Sequence, residues 1–472
     1  MAKTKVALIA PPYSQSYDKL ITVEAKESRA VPPTGIMYLA SYLEQGGIEA
    51  RIYDGEIQGI NPNSLTSWLS DFRPDIVGIS SVVTDYHLAR DIAEVAKETL
   101  GCLVVMGGHF PTEKSEFILG DTGSVDVIIK GEGEQALFRL AEIGNNPEQF
   151  QKIPNLAYRS DGKVKHNPLL PGISDLDSIP FPARHLVDVK KYLYPDPDQG
   201  MKQMSALFSS RGCPFSCTFC YKINGNIVRY RSVRNVVDEL EEVVHKYGSE
   251  WVMFYDDTFT LNRKRAMGIA TEIQNRGLGI RWKCQARTDT LDEELVDNMI
   301  SAGLAMISLG IEGGNQQILD GVSKGINLER TRGICEMLSK KPLTIRASFI
   351  LGLPGETYKS AQDTIEYAAS LPIHLANFSI LVPYPGTRVY TQAMNSEGIS
   401  LIEPNWQHFR RHGYAVINTP TLGADDLLQL QEQALQRFYL HPHRIKHFIA
   451  KYRGGNHSDY YFRPLIQALR NV

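Results

Sequence analysis

The sequence predicts an α/β protein with two successive arrays of parallel strands and a helical extension. From residue 4 to about 144, short β-rich runs alternate with helical patterns of about 10–15 residues. The same alternation begins again at residue 205 and continues to about 390, and the pattern is helical from 391 onward. Strands that alternate with helices are joined by crossovers and therefore run parallel. A chain of 472 residues is also long enough for two or three domains.

The first array, residues 1–144, predicts a doubly wound, Rossmann-like domain. Its β-rich runs are KVALIAP, EARIYD, DIVGISSVV, LVVMGG and DVIIKGEGE. In such sheets, ligands bind beyond the carboxyl ends of the strands. The candidate loops therefore begin at Pro11, Ser80, Gly107 and Gly131.

Residues 145–204 interrupt the alternation and are interpreted as a linker with some structure of its own. The stretch NLAYRSDGKVKHN predicts a β-hairpin that turns at Asp161-Gly162, because Asp-Gly is typical of two-residue hairpin turns. The stretch LDSIPFPARHLVD is a connector interrupted by prolines.

The second array, residues 205–390, predicts an incomplete, barrel-like parallel sheet of six strand and helix units. Its strands are expected at SALFSSR, WVMFYDD, IRWKCQAR, AMISLGIEGG, LTIRASFILGLP and HLANFSILVPYP. In parallel barrels the reacting groups lie at the carboxyl ends of the strands. Residues 391–472 form the helical extension, whose longest amphipathic piece is LLQLQEQALQRFYLHPHRIKHFIAKY.

Composition restricts the classes of partner. The formal net charge of -3 and the charged fraction of 22% give no broad attraction to nucleic acid. The first apolar run stops at two prolines after Ala10, and no run reaches the roughly 18 to 20 apolar residues of a membrane span. Six cysteines are too few for a disulfide framework. We therefore expect a small or mid-sized organic substrate, no nucleic acid, no transmembrane segment and a cytoplasmic location.

Half of the cysteines lie in one short stretch, SSRGCPFSCTFCYK, which contains Cys213, Cys217 and Cys220. Closely spaced thiolates on one loop can converge on zinc or on an iron–sulfur cluster. A structural zinc site needs four ligands, whereas a cluster held by three cysteines leaves one iron open. Gly212 and Pro214 favour a tight turn there. Three small buried hydrophobic residues are the alternative, which the polar surroundings disfavour.

This motif resembles that of the radical S-adenosylmethionine superfamily. It reads C-x-x-x-C-x-x-C, has the aromatic Phe219 before the last cysteine and stands at the start of a six-unit parallel array. The resemblance implies that the three cysteines ligate a 4Fe-4S cluster and that S-adenosylmethionine chelates the fourth iron. It also implies an electron donor such as flavodoxin or ferredoxin, because one electron must cleave the sulfonium to release a 5′-deoxyadenosyl radical.

Five later strand ends resemble superfamily positions around S-adenosylmethionine or the substrate. They read FYDDTF, QAR, GIEGG, ILGLPGE and PYPGT, and the residues concerned are Asp256, Asp257, Arg287, Glu312, Gly352, Pro354 and Tyr384. Glu312 could accept from hydroxyl or amino groups, Arg287 could pair with a carboxylate, and Gly352 could leave bare backbone near the adenine. For any one of these residues alone, an ordinary capping or solvated role stays open.

The first domain resembles the cobalamin-binding domain of cobalamin-dependent radical S-adenosylmethionine enzymes. The resemblance implies that cobalamin contacts serine and glycine positions after the third, fourth and fifth strands. These positions are Ser80, Ser81, Gly107, Gly108, Gly131 and Gly133. His109 is expected near the nucleotide or the corrin edge, without coordinating cobalt. A flavodoxin-like domain with another ligand, or with none, is the alternative.

One departure from that family concerns the lower cobalt ligand. The D-x-H-x-x-G loop should follow the first strand, where this chain reads APPYSQSYDKL without a histidine. The stretch DYHLAR follows the third strand instead and is interpreted as a helix start with a solvated His87. The resemblance therefore implies cobalamin bound without a loop histidine.

The resemblance implies methylation of an unactivated carbon with methylcobalamin and the deoxyadenosyl radical. Oxidative cyclisation, as in the anaerobic magnesium-protoporphyrin cyclase group, or ring rearrangement stays open, as does a non-catalytic cobalamin or cluster sensor. In the extension, the basic stretches HFRRHG and HPHRIKHF could meet an acidic substrate group, but a solvated helix face is the favoured interpretation. Cys102, Cys284 and Cys335 are expected in the core.

Overall fold

The structure, a computed structural model, describes residues 4–12, 31–403, 405–442, 444–446 and 449. Its first sheet has the strand order β2-β1-β3-β4-β5-β6-β7. These strands are β1 (Lys5–Ala10), β2 (Glu49–Asp54), β3 (Ile76–Ser80), β4 (Leu103–Gly107), β5 (Val127–Ile129), β6 (Leu156–Ser160) and β7 (Lys163–His166). Strand β1 pairs in parallel with both β2 and β3, so the direction of winding reverses between them. Such a reversal opens a crevice at the carboxyl edge of the sheet.

Helices cover both faces of this sheet. They are α1 (Thr34–Gln45), α2 (Gly55–Gln58), α3 (Pro62–Phe72), α4 (Tyr86–Leu100), α5 (His109–Glu113), α6 (Ser115–Asp121), α7 (Glu134–Ile143) and α8 (Pro147–Phe150). Helices α1 and α7 pack together with Val6 and Leu8, whereas α3 and α4 pack with Ala7 and Ile9. Alternate residues of one strand thus enter two different cores. The predicted doubly wound domain is confirmed.

The predicted hairpin is present, and its turn residues have the expected backbone. Asp161 and Gly162 have φ angles of 54° and 72°, as a type I′ turn requires. Strands β6 and β7 join the first sheet in antiparallel fashion beside β5. The strand β8 (Leu193–Asp196) belongs to the second sheet. The segment interpreted as a linker is therefore shared between the two sheets.

The second sheet has the order β16-β15-β14-β13-β12-β9-β8. Its strands after β8 are β9 (Gly200–Leu207), β12 (Trp251–Phe254), β13 (Arg281–Ala286), β14 (Leu304–Glu312), β15 (Thr344–Leu351) and β16 (Leu375–Ile380). From β9 to β16 all neighbours pair in parallel, as predicted. Strand β9 begins before the predicted Ser205 because it pairs with β8. The short strands β10 (Ser210–Arg211) and β11 (Arg229–Tyr230) pair with each other.

Helices follow each of these parallel strands. They are α9 (Val233–His245), α10 (Arg263–Asn275), α11 (Glu293–Ser301), α12 (Gln316–Gly321), α13 (Leu328–Ser339), α14 (Tyr358–Ser370) and α15 (Arg388–Met394). The described part of the extension is not entirely helical, because β17 (Ser400–Leu401) and β18 (Ile417–Asn418) form an antiparallel pair. Helix α16 (Ala424–Tyr439) then packs on β16. The predicted helix beyond residue 449 lies outside the described residues, and none of the described helices combines the length and apolar character of a membrane span.

A buried ion cluster fastens the connector to the second sheet. The Glu239 carboxylate on α9 accepts from Arg184 of the connector at 2.5 Å and also from Arg231. All three side chains are at most 5% exposed. Buried charges of this kind depend on their partners, because removing one leaves the others unpaired in a low dielectric.

Replacement of this carboxylate should therefore destabilise the fold. We expect Glu239→Gln to lower the free energy of unfolding by about 3 kcal/mol, since both guanidinium groups lose their counter-charge. Thermal unfolding followed by circular dichroism measures the effect. Glu366→Gln is the control, because Glu366 pairs with Arg437 on the surface and surface pairs contribute about 0–1 kcal/mol. Equal midpoints for the two variants would contradict the prediction.

Candidate functional site

A cavity of about 430 Å³ lies where the carboxyl edges of the two sheets face each other. Its wall includes residues from the first domain, the cysteine loop and the second sheet. The residues are Val82, Val83, His109, Phe110, Phe219, Cys220, Tyr221, Gln285, Ser308, Leu309, Gly310, Glu312, Ser348, Ile350, Asn377, Ser379, Leu381, Val382, Tyr384, Pro385 and Arg411. A volume of this size suits a small organic molecule.

Backbone contacts fix the cysteine loop, residues 212–228, between β10 and β11. Gly212 has a φ of 98°, and a Cβ there would stand 2.4 Å from the Ile227 carbonyl oxygen. Only glycine accommodates both conditions, which confirms the predicted tight turn. The Cys213 N–H donates to the Gly225 carbonyl at 3.2 Å, and the Thr218 N–H donates to Val322 beyond β14 at 3.0 Å.

The loop brings the three thiols near one another. Cys213 and Cys217 are half-buried, while Cys220 is exposed toward the cavity. Enclosure by the protein raises the pKa of Cys220 to about 12, and the neighbouring Asp257 and the other two thiols add to this shift. Among the described residues, no three His, Cys, Asp or Glu side chains are arranged to hold a single metal ion. Three thiolates on one loop fit a cluster, in which each cysteine binds a different iron.

The first domain holds the base of this loop through an ion network. Arg211 donates to Glu132 at 2.9 Å and to Glu134 at 2.7 Å, and Arg229 also donates to Glu132. All four side chains are at most 13% exposed. The glycines Gly131 and Gly133, predicted at the cobalamin site, lie on either side of Glu132 in this same segment. The network therefore joins the segment after β5 to both strands that flank the cysteines.

The far end of the loop also contacts the first domain. The Tyr221 hydroxyl donates to Glu113 of α5 at 3.0 Å, and its ring lies 4.8 Å from that of His109. A Cβ at Gly386, after β16, would stand 2.6 Å from both Glu113 and Tyr221. Helix α5, the cysteine loop and the end of β16 thus meet at one point.

The two acidic residues after β12 have different surroundings. Asp256 is 1% exposed and accepts from the Ser209 N–H and from the Ser209 and Ser210 hydroxyls, at 2.7, 2.5 and 2.5 Å. It therefore fixes the chain just before the cysteine loop. Asp257 keeps accessible surface beside Cys213 and Cys220, but the surrounding protein partly encloses it. This enclosure raises its pKa, and the charge of Asp256 is the second cause.

Arg287 and Glu312 are held by specific partners. The Arg287 guanidinium donates to Asp289 at 3.0 and 2.9 Å and stacks 3.6 Å from the ring centre of Phe215, within the cysteine loop. Glu312 lines the cavity, has a φ of 69° and accepts from Lys324 at 2.9 Å. A positive φ at a glutamate is a strained conformation, and strained residues of this kind cluster at functional sites.

The remaining strand-end residues divide between the cavity and the packing around it. Tyr384 lines the cavity. Gly352 has a φ of 87°, and a Cβ there would stand 2.9 Å from Leu427 of α16, so it lets that helix pack closely. Pro354 is half-buried, and neither Gly352 nor Pro354 is among the residues of the cavity wall.

In the first domain, the serine pair at the end of β3 is divided between surface and core. Ser80 is half-exposed, whereas Ser81 is buried and donates to Asp85 at 2.9 Å. Gly108 has a φ of 109°, and a Cβ there would stand 2.4 Å from the Ser81 carbonyl oxygen. Gly107 is half-buried at the end of β4. Ser80 and Gly107 thus lie at the edge that faces the second sheet.

Two predicted glycines and a histidine complete that edge. Gly131 has a φ of 75° and open space where a Cβ would lie, while a Cβ at Gly133 would contact Leu39 at 3.2 Å. His109 is exposed within the cavity, and enclosure by the protein lowers its pKa to about 4. It is therefore a neutral imidazole at physiological pH.

The expected solvation of His87 is wrong. Helix α4 does begin at Tyr86, but His87 is half-buried, and burial lowers its pKa. Within the described residues, its Nδ1 atom is buried without a hydrogen-bond partner. Most of APPYSQSYDKL, residues 13–20, lies outside the described residues. The other three cysteines agree with the expected core positions: Cys284 and Cys335 are buried, and Cys102 is half-buried.

Several residues of the cavity wall were missed by the sequence analysis. Gln285, Ser308, Ser348, Asn377 and Ser379 project inward from β13 to β16. Parallel strands covered on both faces are ordinarily near-continuous apolar runs. Polar residues two positions apart in KCQ (283–285), RAS (346–348) and NFS (377–379) were therefore the signal.

Comparisons with known proteins agree with this architecture. Residues 207–368 match the Radical SAM superfamily, and residues 24–141 match the B12 binding domain. The chain is 31% identical over 445 residues to an uncharacterized methyltransferase of Pyrococcus horikoshii, PH0819. This match covers 94% of each of the two chains. The chain is 30% identical over 370 residues to the anaerobic magnesium-protoporphyrin IX monomethyl ester cyclase of Rubrivivax gelatinosus, which covers 76% of this chain and 66% of the cyclase.

A solved structure shares the whole fold. The radical S-adenosylmethionine methyltransferase TsrM from Kitasatospora setae, solved with cobalamin and a [4Fe-4S] cluster, superposes with a TM-score of 0.75 at 17% identity and covers 100% of both chains. The fold and site define a two-domain radical S-adenosylmethionine enzyme, which implies a small-molecule substrate and a reductant. The chain belongs to the cobalamin-binding radical S-adenosylmethionine family.

The buried Asp85 beneath Ser81 gives a testable pH dependence. Burial raises its pKa from 3.8 to about 7. The stability that this group contributes is fully present below about pH 4 and falls, by up to about 4 kcal/mol, as the pH rises to about 7. Asp85→Asn cannot ionise, and its Oδ1 can still accept from Ser81 and from the Val82 N–H.

We therefore expect the variant to gain stability relative to the wild type between pH 4 and pH 8. Thermal midpoints measured across that range provide the check. A constant difference between the two proteins at every pH would contradict the raised pKa.

Proposed function

We propose that the protein methylates an unactivated carbon of a small organic substrate in a cobalamin-dependent radical S-adenosylmethionine reaction. The observation that carries the proposal is the shared cavity. Cys220 of the cysteine loop, His109 of the first domain and inward-facing residues of the second sheet all line it. Two reactive groups must be held in line with one substrate carbon for such chemistry.

The relatives favour methyl transfer. PH0819 is described as a methyltransferase. The cytidylyl-2-hydroxyethylphosphonate methyltransferase of Streptomyces wedmorensis is 26% identical over 480 residues and covers 88% of each chain. These two relatives match more of this chain than the cyclase does.

The proposed metal ligands are Cys213, Cys217 and Cys220. They fit a 4Fe-4S cluster because they share one fixed loop and because Cys220 faces the cavity, where an open iron could meet S-adenosylmethionine. The bound cluster and S-adenosylmethionine would supply a 5′-deoxyadenosyl radical. Phe219 lines the cavity beside Cys220 and would shield the cluster from water, and Arg287 braces the loop through its stack on Phe215.

Glu312 and Tyr384 are the proposed contacts to S-adenosylmethionine or substrate, since both line the cavity. Asp257 lies beside the thiols and can serve the same ligand. Asp256 and Gly352 act as positioning residues: Asp256 fixes the start of the loop, and Gly352 admits helix α16. Pro354, after β15, stays a proposed contact to S-adenosylmethionine or substrate.

The proposed cobalamin contacts lie along the carboxyl edge of the first sheet. Ser80 and Gly107 are the last residues of β3 and β4, Gly131 follows the adjacent β5, and Gly131 leaves room where a side chain would stand. Ser81 and Gly108 support that edge through their close contact, and Gly133 lets the turn after β5 pass Leu39. His109, neutral inside the cavity, faces the same space.

Oxidative cyclisation is the second candidate, favoured by the 30% identity to the cyclase. A non-catalytic sensor is the candidate of another class. The proposal includes an electron donor such as flavodoxin or ferredoxin. It also includes a reducing, cytoplasmic compartment, and the six free cysteines support the reducing compartment. We also propose that nucleic acid is not a partner, given the net charge of -3.

Loss of a cysteine ligand should remove the cluster. We expect about four irons per chain after anaerobic reconstitution of the wild type, and a marked loss of iron for Cys220→Ala. Cys102→Ala is the matched control, because Cys102 lies at β4 away from the loop. Iron analysis and the visible absorption spectrum measure the result. Full iron retention by Cys220→Ala would overturn the ligand assignment.

The products of S-adenosylmethionine distinguish the candidates. The reconstituted protein, with hydroxocobalamin and dithionite, is incubated with candidate substrates, and nucleoside products are quantified by chromatography. Methyl transfer yields 5′-deoxyadenosine and S-adenosylhomocysteine together, because the radical and the methyl group come from separate molecules. Cyclisation yields 5′-deoxyadenosine alone, and a sensor yields no substrate-dependent 5′-deoxyadenosine. Either of the latter results would refute methylation.

A further inference from the structure

Four uncharged polar side chains form a continuous patch on the inner face of the second sheet. They belong to the adjacent strands β13 to β16, and all four line the cavity. Gln285 pairs in register with Ser308, and Ser348 pairs with Asn377. Gly310, two residues after Ser308, is the partner of Ser348, so the two pairs lie in successive layers of the sheet. With strands about 4.8 Å apart and about 7 Å between alternate residues, this neutral patch spans about 14 Å by 7 Å.

The neutral patch is accessible from the cavity, although its strands lie inside the sheet. Gln285 is exposed, and the other three side chains are half-buried. The residues that alternate with them point to the opposite face of the sheet, where helices cover them. They are at most 4% exposed and comprise Cys284, Ala286, Ile307, Leu309, Ala347, Phe349, Ala376 and Phe378. The accessible surface of the neutral patch therefore belongs to the cavity.

The side chains of the neutral patch have no hydrogen-bond partners within the part of the chain that the structure describes. Carboxamides and hydroxyls can each donate and accept hydrogen bonds. When a ligand separates such groups from water, each group left unpaired costs free energy. The neutral patch therefore favours a ligand that supplies both donors and acceptors.

The charged side chains of the cavity wall lie nearer the strand ends and contact other residues. Glu312, four residues after Ser308 at the end of β14, accepts from Lys324 at 2.9 Å. The Arg411 Nε donates at 3.4 Å to the hydroxyl of Tyr384, which follows β16. These charges are therefore separate from the neutral patch.

The position of Arg411 shows that the interpretation of HFRRHG as a solvated helix face is wrong. Residues 409–416 are not helical, and Arg411 lines the cavity. A contact between this arginine and an acidic substrate group stays a prediction. The basic stretch HPHRIKHF lies partly outside the described residues.

Two further cations lie deeper in the sheet, outside the cavity wall. Lys283 precedes Gln285 by two residues on β13, and Arg346 precedes Ser348 by two residues on β15. Neither cation is among the residues that line the cavity. A ligand that reaches the neutral patch from the cavity therefore meets uncharged groups.

We infer that the substrate presents to the neutral patch an uncharged group that both donates and accepts hydrogen bonds, a hydroxyl or a carboxamide. A carboxylate only accepts and an ammonium only donates. Either ion would leave part of the patch unpaired and would be buried without a counter-charge from it. The inference rests on the proposed function, because the neutral patch lines the same cavity as Cys220 and His109.

The test uses the full-length protein, reconstituted with cluster and cobalamin and saturated with S-adenosylmethionine in the absence of a reductant. Four probes share a cyclohexyl ring and differ in one group: cyclohexanecarboxamide, cyclohexylmethanol, cyclohexanecarboxylate and cyclohexylmethylammonium. Isothermal titration calorimetry measures their binding. We expect both neutral probes to bind at least about 10-fold more tightly than either ion, because an ion loses its hydration without gaining a counter-charge. The ratio of carboxamide to alcohol indicates which neutral group is preferred.

Gln285→Met keeps the length of the side chain and removes its hydrogen-bonding groups. We expect it to weaken binding of the neutral probes about 10-fold and to leave the ionic probes unchanged. Gln317→Met is the matched control, since Gln317 lies exposed on α12. Asn377→Asp, a second and independent variant, keeps the shape of the side chain and adds a negative charge. It should bind cyclohexylmethylammonium about 10-fold more tightly than the wild type does.

Three results would overturn the inference. The first is a wild type that binds either ion as tightly as the neutral probes. The second is wild-type binding of the neutral probes by Gln285→Met. The third is loss of S-adenosylmethionine affinity by Gln285→Met with probe binding unchanged, which would assign the neutral patch to S-adenosylmethionine instead.

The same samples separate this inference from the proposed function. Each is assayed for iron, for cobalt and for 5′-deoxyadenosine formed under dithionite. Selective binding of the neutral probes without S-adenosylmethionine cleavage would count against the proposed function alone. Cleavage by a wild type that does not prefer the neutral probes would count against the uncharged substrate group alone.

Discussion

The ion network between Arg211, Arg229, Glu132 and Glu134 is the constraint on which the site depends. These charges lie between the two sheets and are nearly buried. An unpaired buried charge is strongly unfavourable. The two arginines therefore require the first domain to be in place, and the two glutamates require the second. Because the arginines belong to β10 and β11, docking of the first domain also fixes the base of the cysteine loop. The position of the proposed cluster is therefore coupled to the position of the proposed cobalamin edge.

The cysteine loop is consequently held from both ends. The ion network fixes its base, and Tyr221 with Glu113 fixes its far end against α5. Radical chemistry of the proposed kind requires separate groups to be aligned to within about 1 Å. Loose docking of the two domains would destroy this alignment. The sharing of residues 145–204 between the two sheets serves the same end, since the connector is also fastened through Arg184 and Glu239.

Much of the fold follows from local patterns in the sequence. Alternation of β-rich and helical runs predicted the strands of both sheets, and Asp161-Gly162 predicted the hairpin turn. The network was not predictable in this way, because Arg211 and Glu132 lie 79 positions apart and nothing local pairs them. Residue type likewise indicated chemistry but not neighbours. Asp256 has the chemistry of a ligand contact, yet the serines before the cysteine loop occupy its carboxylate.

The motif GIEGG shows how neighbouring residues hold one residue of the cavity wall, Glu312, in a strained conformation. Glu312 adopts a φ of 69°, a conformation that costs about 1–3 kcal/mol for a residue with a side chain. Its ion pair with Lys324, which is 7% exposed, offsets part of that cost. A Cβ at Gly310 would stand 2.6 Å from the Glu312 carboxylate and 3.0 Å from the Lys324 ammonium. The glycine therefore makes room for the pair, and the pair holds the strained glutamate at the mouth of the barrel.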